Sequence, residues 1–214
     1  KATEPLGIME AAMRKVGRQI FYGNTALGSA LGFYGLVNFV DSGMIYDATG
    51  TTADTGSSVY FVKFGPQNVS LIMGKNGTME LGEFRVESLT DGDGNKGPGE
   101  VADLASWIGL QQASKFSVLR IKNLTAENGK GLTDAKIAAA LDLAPAGFTY
   151  DAIFMSRRSR TQLRTDRASR VSAATANGKG GTIGGDAIYA PTPTDFEGIP
   201  IIATDSILNT EPIA

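Results

Sequence analysis

The sequence predicts an α+β protein with mixed sheets. An apolar stripe at helical spacing opens the chain, and runs rich in β-branched and aromatic residues, broken by Gly-rich turns, fill its middle. Capped helical patterns return in the second half, and it is the order of these elements that sets the class.

Residues 8–21, IMEAAMRKVGRQIF, place Ile8, Ala12, Val16 and Ile20 four apart, so one stripe of a helix faces a partner surface. The helix is expected to stop at Tyr22-Gly23-Asn24, where Gly tolerates the left-handed backbone of a helix end. Residues 23–57 are loop-rich around GFYGLVNFV. Phe33, Tyr34 and Phe39 there serve either contacts between subunits or a small satellite core.

SSVYFVKFGPQNVSLIM favours extended backbone at Val59, Phe61 and Val62, breaks at Gly65-Pro66 and resumes from Val69 to Met73. Apolar residues on both faces predict a central strand in a covered sheet. MELGEFRVESL and KFSVLRIKNL are further strands, pairing Phe84 with Val86 and Leu119 with Ile121 on shared faces, and TDGDGNKGPGE between them is a turn.

In LTDAKIAAALDLAP, Thr133 is the N-cap, Asp134 sits in the first turn, Ile137 and Leu141 share a face, and Pro145 terminates. YDAIFMSRRSRTQLRTDR reads as a short strand feeding a helix capped by Ser156. A Gly-rich loop, ANGKGGTIGG, follows, then a weak strand at Ala187–Tyr189 and a closing strand at Ile199–Ala203. The last residues are polar and read as a solvated hook.

Composition sets exclusions. With 214 residues and 42% hydrophobic content, the chain makes one large domain or two small ones. It has no His and no Cys, which removes Ser-His and Cys-His hydrolases, zinc-thiolate sites and disulfide-stapled scaffolds. A net charge of -2 gives no global pull toward nucleic acid or membrane. Apolar runs such as Ile199–Ala203 are too short to cross a bilayer, and no secretion signal is visible. No catalytic, cofactor or metal set is expected. A chain that begins at Lys1 rather than Met is expected to be a fragment whose native start was removed.

Few motifs stand against these exclusions. GDGNKG, residues 92–97, has dinucleotide-loop spacing, but Pro98 and Gly99 stand where a helix must open. Asp91, Asp93 and Asn95 have calcium-loop spacing, but Lys96 replaces the required Gly and Ala102 the required Glu. A hairpin tip is the better reading. The loop around Lys179 lacks the Ser or Thr of a phosphate loop. Arg157, Arg158, Arg160, Arg164, Arg167 and Arg170 form the one unusual charge feature. Arg157, Arg160, Arg164 and Arg167 fall at steps of three and four, giving a cationic helical stripe. It is either a solvated face with local ion pairs, a subunit contact through carboxylates, or a phosphate contact.

IFYGN, SSVYFVKFGPQNV, SWIGLQQASKFSVLRIKNL, IFMSRRSRTQLR and FEGIPIIATDSILNTEPIA, in this order, resemble the major capsid proteins of tailed bacteriophages, specifically a prophage-type branch. The resemblance implies the Hong Kong phage ninety-seven type fold, with a peripheral domain of spine helix and long strands and an axial domain of mixed sheet flanked by helices. On that basis residues 1–45 and 76–128 are expected to be peripheral, and 46–75 and 129–214 axial. The family's N-terminal arm and extended loop do not appear in this sequence, so a truncated core is expected. The resemblance further implies a virion shell subunit assembled in the bacterial host cytoplasm, forming hexamers and pentamers around double-stranded DNA. Arg157, Arg160, Arg164 and Arg167 are candidate subunit contacts. Scaffolding, portal or decoration proteins are the other partners, and DNA contact is expected to be weak and sequence-blind. One alternative is an encapsulin-like compartment. The other is a carbohydrate-active or carbohydrate-binding protein, which requires Trp107 exposed on a concave surface beside Asp or Glu.

Overall fold

A computed structural model describes residues 4–74, 80–176 and 191–213. The Gly-rich loop around Lys179 and the strand expected at Ala187–Tyr189 lie outside them. The chain opens with α1 (Glu4–Tyr22) and a loop carrying the short α2 (Leu36–Phe39), then β1 (Ile45–Asp47) and β2 (Ser57–Val62). Six strands follow: β3 (Val69–Met73), β4 (Glu80–Leu81), β5 (Arg85–Thr90), β6 (Lys96–Val101), β7 (Leu104–Ala105) and β8 (Ile108–Gln112). Then come β9 (Val118–Leu124), α3 (Asp134–Leu141), β10 (Ala152–Met155), α4 (Arg157–Ala176), β11 (Asp195–Phe196) and β12 (Ile199–Ala203).

The body is a six-stranded mixed sheet ordered β1-β9-β2-β10-β12-β11. β1 with β9 and β10 with β12 are parallel; the other neighbours are antiparallel. Side chains alternate across each strand, and here both faces are covered. Val59, Phe61, Leu119, Ile121, Ile153 and Met155 join Ile137 of α3 and Leu163 of α4 in one core. Tyr60, Val62 and Val118 point the other way and pack on Phe21, Tyr22, Leu36 and Ile207. That is why all six positions of β2 are buried, as its two-sided apolar pattern predicts. β9, from the segment expected to be peripheral, lies hydrogen-bonded to β2, from the segment expected to be axial.

The predicted caps form. Thr133 Oγ1 accepts the Lys136 N–H at 3.3 Å, and Ser156 Oγ accepts that of Ser159 at 3.2 Å. At the end of α1 the left-handed residue is Asn24 (φ 57°) rather than Gly23. Gly23 is needed for a different reason: a Cβ there would lie 2.1 Å from the Phe33 carbonyl oxygen, so only glycine lets the following loop pack down.

Two expectations are corrected. The run Val69–Met73 does not continue the covered sheet. It leaves it, and Leu71, Ile72 and Met73 are exposed. The terminal residues are not a solvated hook either. Glu211 is buried, its carboxylate accepting from Tyr22 Oη at 2.5 Å, Ser58 Oγ at 2.6 Å and an Arg120 guanidinium nitrogen at 2.9 Å. The Leu208 N–H donates to the same Tyr22 hydroxyl at 3.0 Å. A buried carboxylate demands such pairing. The tail therefore straps α1 to the sheet, and burial beside Glu211 pushes the Tyr22 phenol far above its ordinary range.

Candidate assembly surface

Three successive antiparallel ladders, β3 with β8, β4 with β7 and β5 with β6, carry the chain out and back along one two-stranded ribbon. Its tip is the predicted hairpin turn. Asp91 Oδ1 accepts the N–H groups of Asp93 at 3.0 Å and Asn95 at 2.8 Å, and Gly94 takes φ +87°, a backbone that disfavours side chains. The Asn95 N–H holds the Asp91 carboxyl below its ordinary range. With that oxygen engaged by its own turn, the calcium-loop spacing is accounted for as hairpin geometry. Lower down, Arg85 clamps Asp103 in a fork at 2.5 and 3.2 Å and also pairs with Glu87 at 2.5 Å. Pro98, opposite Ser88, lacks an N–H and makes the ribbon a poor template for further strand pairing.

A two-stranded ribbon is marginal in water unless a face is covered. Here β5 is exposed at every position, with Val86 71% and Leu89 47% accessible, and Phe84 just before it is 53% accessible. Apolar side chains gathered on an exposed ribbon make it a candidate interaction surface.

At the ribbon base lies a groove of about 510 Å³, walled by Val16 and Lys15 of α1, by Leu31 and Phe33 of the loop, and by Trp107 and Ile108. Gln19 builds the loop wall: its Nε2 donates to the carbonyls of Ser29 at 3.0 Å and Phe33 at 2.8 Å, and its Oε1 accepts the Ser29 N–H at 2.9 Å. Trp107 is 84% exposed, as a carbohydrate site would need, but among the described residues no Asp or Glu lines the groove it borders. Of the loop aromatics, Tyr34 is exposed and Phe33 faces the groove.

The sequence profile of one family, Major capsid protein GP7, matches residues 1–213. The chain belongs to that family. No individual curated protein matches it. It is a structural capsid subunit and self-associates into a shell, and so it is a component of the virion, in a non-enzymatic role. Among the described residues, no helix is long and apolar enough to cross a membrane.

In this capsid subunit the arginine stripe is largely tied to the protein's own surface. Arg167 forks onto Asp134 through Nε and a terminal nitrogen at 2.8–3.1 Å, pinning α4 to the start of α3, and its pKa is raised by those bonds. Arg157 pairs with Asp205 at 3.1 Å, both three-quarters exposed, a geometry worth little. Arg164 is exposed and also engaged. Arg160, half-buried, has no ion-pair partner among the described residues. Arg158, left out of the stripe, donates to the Thr55 and Leu124 carbonyls at 2.7 and 3.0 Å and locks α4 onto the sheet.

Sequence reading missed Lys15, Gln19 and the strands β6 to β8. Gly97, Pro98 and Gly99 hid β6, because a strand written in breakers carries no propensity signal. Exposed Trp107 beside an amphipathic helix was the available pointer to the groove.

Proposed function

We propose that the chain is the lateral tiling unit of an icosahedral phage or prophage shell of the Hong Kong phage ninety-seven type, forming hexamers and pentamers around double-stranded DNA. The observation that carries this reading is the ribbon: apolar residues, no cover within the subunit, and a guarded edge. The membership in a capsid family supports it, as does a body whose sheet is already buried on both faces and needs no partner there.

Ribbon and α1 form the peripheral part in this reading, and the six-stranded sheet with α3 and α4 the axial part, dividing near residues 69 and 112 rather than 76 and 128. Arg160 is the member of the stripe best placed for a contact between copies. The net charge of -2 suits a wall that touches DNA weakly and without sequence preference. Scaffolding, portal and decoration proteins are the further partners of such a shell.

Electron microscopy of the full chain expressed alone tests the proposal. Rings or closed particles are expected, and nucleic acid rather than a protein cargo inside particles from an infected or induced host. Monomers at every concentration overturn the tiling role, and protein-filled particles favour the encapsulin-like alternative.

A further inference from the structure

We infer, independently of the shell reading, that Asn128 is a site of spontaneous covalent modification. Its side chain closes on the Gly129 nitrogen, sheds ammonia and leaves aspartate or isoaspartate inside a clasp between two loops.

Ring closure needs an unrestrained amide, a free backbone N–H on the next residue, and no side chain there to block the approach. Asn128 and Gly129 supply all three. Both are exposed, and among the described residues neither the Asn128 side chain nor the Gly129 N–H has a hydrogen-bond partner. Gly129 stands third in a turn closed by the Lys130 N–H on the Glu127 carbonyl at 3.0 Å, takes φ +75°, and has open space where a Cβ would lie. The other described asparagines each miss a condition. Asn38 and Asn95 donate through their amides, the Asn68 amide oxygen accepts from Ser117, and Asn123 is buried. Asn24 and Asn209 precede threonines, whose branched side chains crowd the nitrogen. Two more Asn-Gly pairs, at 76–77 and 177–178, lie outside the described residues.

The atoms balance with water as the sole co-reactant. Gly129 N gives up its proton to solvent and attacks Asn128 Cγ, so a Cγ–N bond forms and a five-membered succinimide closes. The Cγ–Nδ2 bond breaks, and the nitrogen leaves as ammonia with a proton from solvent. Water then opens the ring at Cγ, which gives aspartate, or at the backbone carbonyl, which gives isoaspartate with the chain running through Cβ and Cγ. Because ammonia is lost, the change is one-way and accumulates with the age of the particle.

Its place in the fold gives it a consequence. Glu127, just before Asn128, accepts the Thr51 N–H at 3.0 Å and the Thr125 hydroxyl at 3.1 Å, and Lys130 Nζ donates to the Thr49 hydroxyl at 2.6 Å. Lys136 Nζ donates to the Gly129 and Gly131 carbonyls at 2.8 and 2.7 Å. These bonds hold the loop at 48–55 against the loop at 125–131. Aspartate keeps the backbone path and adds one negative charge. Isoaspartate lengthens the closed turn by a methylene, so Glu127 and Gly129 are pulled off their partners and the 48–55 loop is released.

Ageing the full chain at mildly alkaline pH, with peptide mapping over days, tests this. The peptide carrying Asn128 is expected to gain the mass of an amide-to-acid change before those carrying Asn24, Asn38, Asn68, Asn95, Asn123 or Asn209. It is also expected to become a substrate for an isoaspartyl methyltransferase, and to change more slowly at lower pH, since the nitrogen attacks as its anion. Asn128→Gln, whose longer side chain closes a ring far more slowly, is expected to stay unmodified and to melt with fresh wild type. Fresh Asn128→Asp is expected to keep the hydrogen-exchange protection of 48–55, whereas the isoaspartate form exchanges faster there and melts about 2–4 °C lower. Loss of the Asn24 or Asn209 amide before that of Asn128, or conversion without any isoaspartate, overturns the assignment of the site. Unchanged exchange at 48–55 in the isoaspartate form overturns the release of the clasp.

Discussion

The sheet and the ribbon are both β-structure, yet they solve opposite problems. In β2, β9 and β10 most side chains find cover inside the subunit, from α3 and α4 on one face and from α1 and the C-terminal tail on the other. In β5 every side chain is left in water, and what order the ribbon has comes from its turn, its Arg85 clamp and its ladder. The difference teaches where each region draws its stability. The body buries its apolar residues within the subunit, whereas in the proposed shell the ribbon gains its apolar burial from a neighbour.

Substitutions in the two regions should therefore separate folding from assembly. The largest loss of monomer stability is expected from Phe61→Ala, which empties a fully buried site in the middle of the sheet and costs about 3–5 kcal/mol, read by urea denaturation. Nearly as large is Glu211→Ala. It leaves the largely buried Arg120 guanidinium without its carboxylate, at about 3 kcal/mol. In that variant hydrogen exchange should quicken at the end of α1 and in residues 207–211 before the sheet centre.

A smaller effect is expected at the ribbon tip. Gly94→Ala forces a side chain onto φ +87° with nothing nearby to clash, a backbone penalty of about 1–2 kcal/mol. It should loosen amides of β5 and β6 and leave the sheet's protection unchanged; a global loss would mean that the ribbon folds as one unit with the body. Phe84→Ser with Val86→Ser marks the low end. Monomer stability is expected within about 0.5 kcal/mol of wild type, because both side chains are exposed, while assembly is strongly impaired. Intact assembly would break the comparison.

A pH dependence sharpens it further. The Glu127 carboxyl is lowered to about 2 by hydrogen bonds from the Thr52 hydroxyl first, then the Thr51 N–H and the Thr51 and Thr125 hydroxyls. A depressed folded value means that its stabilisation is fully present above the ordinary value of 4.5 and fades as pH falls toward 2. Glu127→Gln should remove that part of the acid sensitivity in a pH-melting series, without moving the neutral-pH assembly behaviour.

Much of the body was legible in the sequence. The two-sided apolar run at Ser57–Val62, the Thr133 and Ser156 caps and Ile20 of the α1 stripe each report a local choice that agrees with the final packing. The ribbon was half legible. Phe84 and Val86 gave away one strand, while Gly97-Pro98-Gly99 concealed its partner, which pairs by position and not by propensity. Arg167 was named correctly as unusual, but its partner Asp134 lies on another helix, and helical spacing reports only the face that a side chain shares with its own helix.

By itself, then, the sequence determined the class of fold, the strands and helices with a periodic apolar signal, and the absence of the residue types that common hydrolytic and metal chemistry needs. Tertiary structure alone decided which apolar residues stay uncovered, that Glu211 is buried against Tyr22 and Arg120, and that Lys15 and Trp107 border one groove. The physical reason is range. Backbone preference and amphipathic period act over a few residues, whereas burial and charge pairing depend on which distant segments meet, and only the assembled chain fixes that.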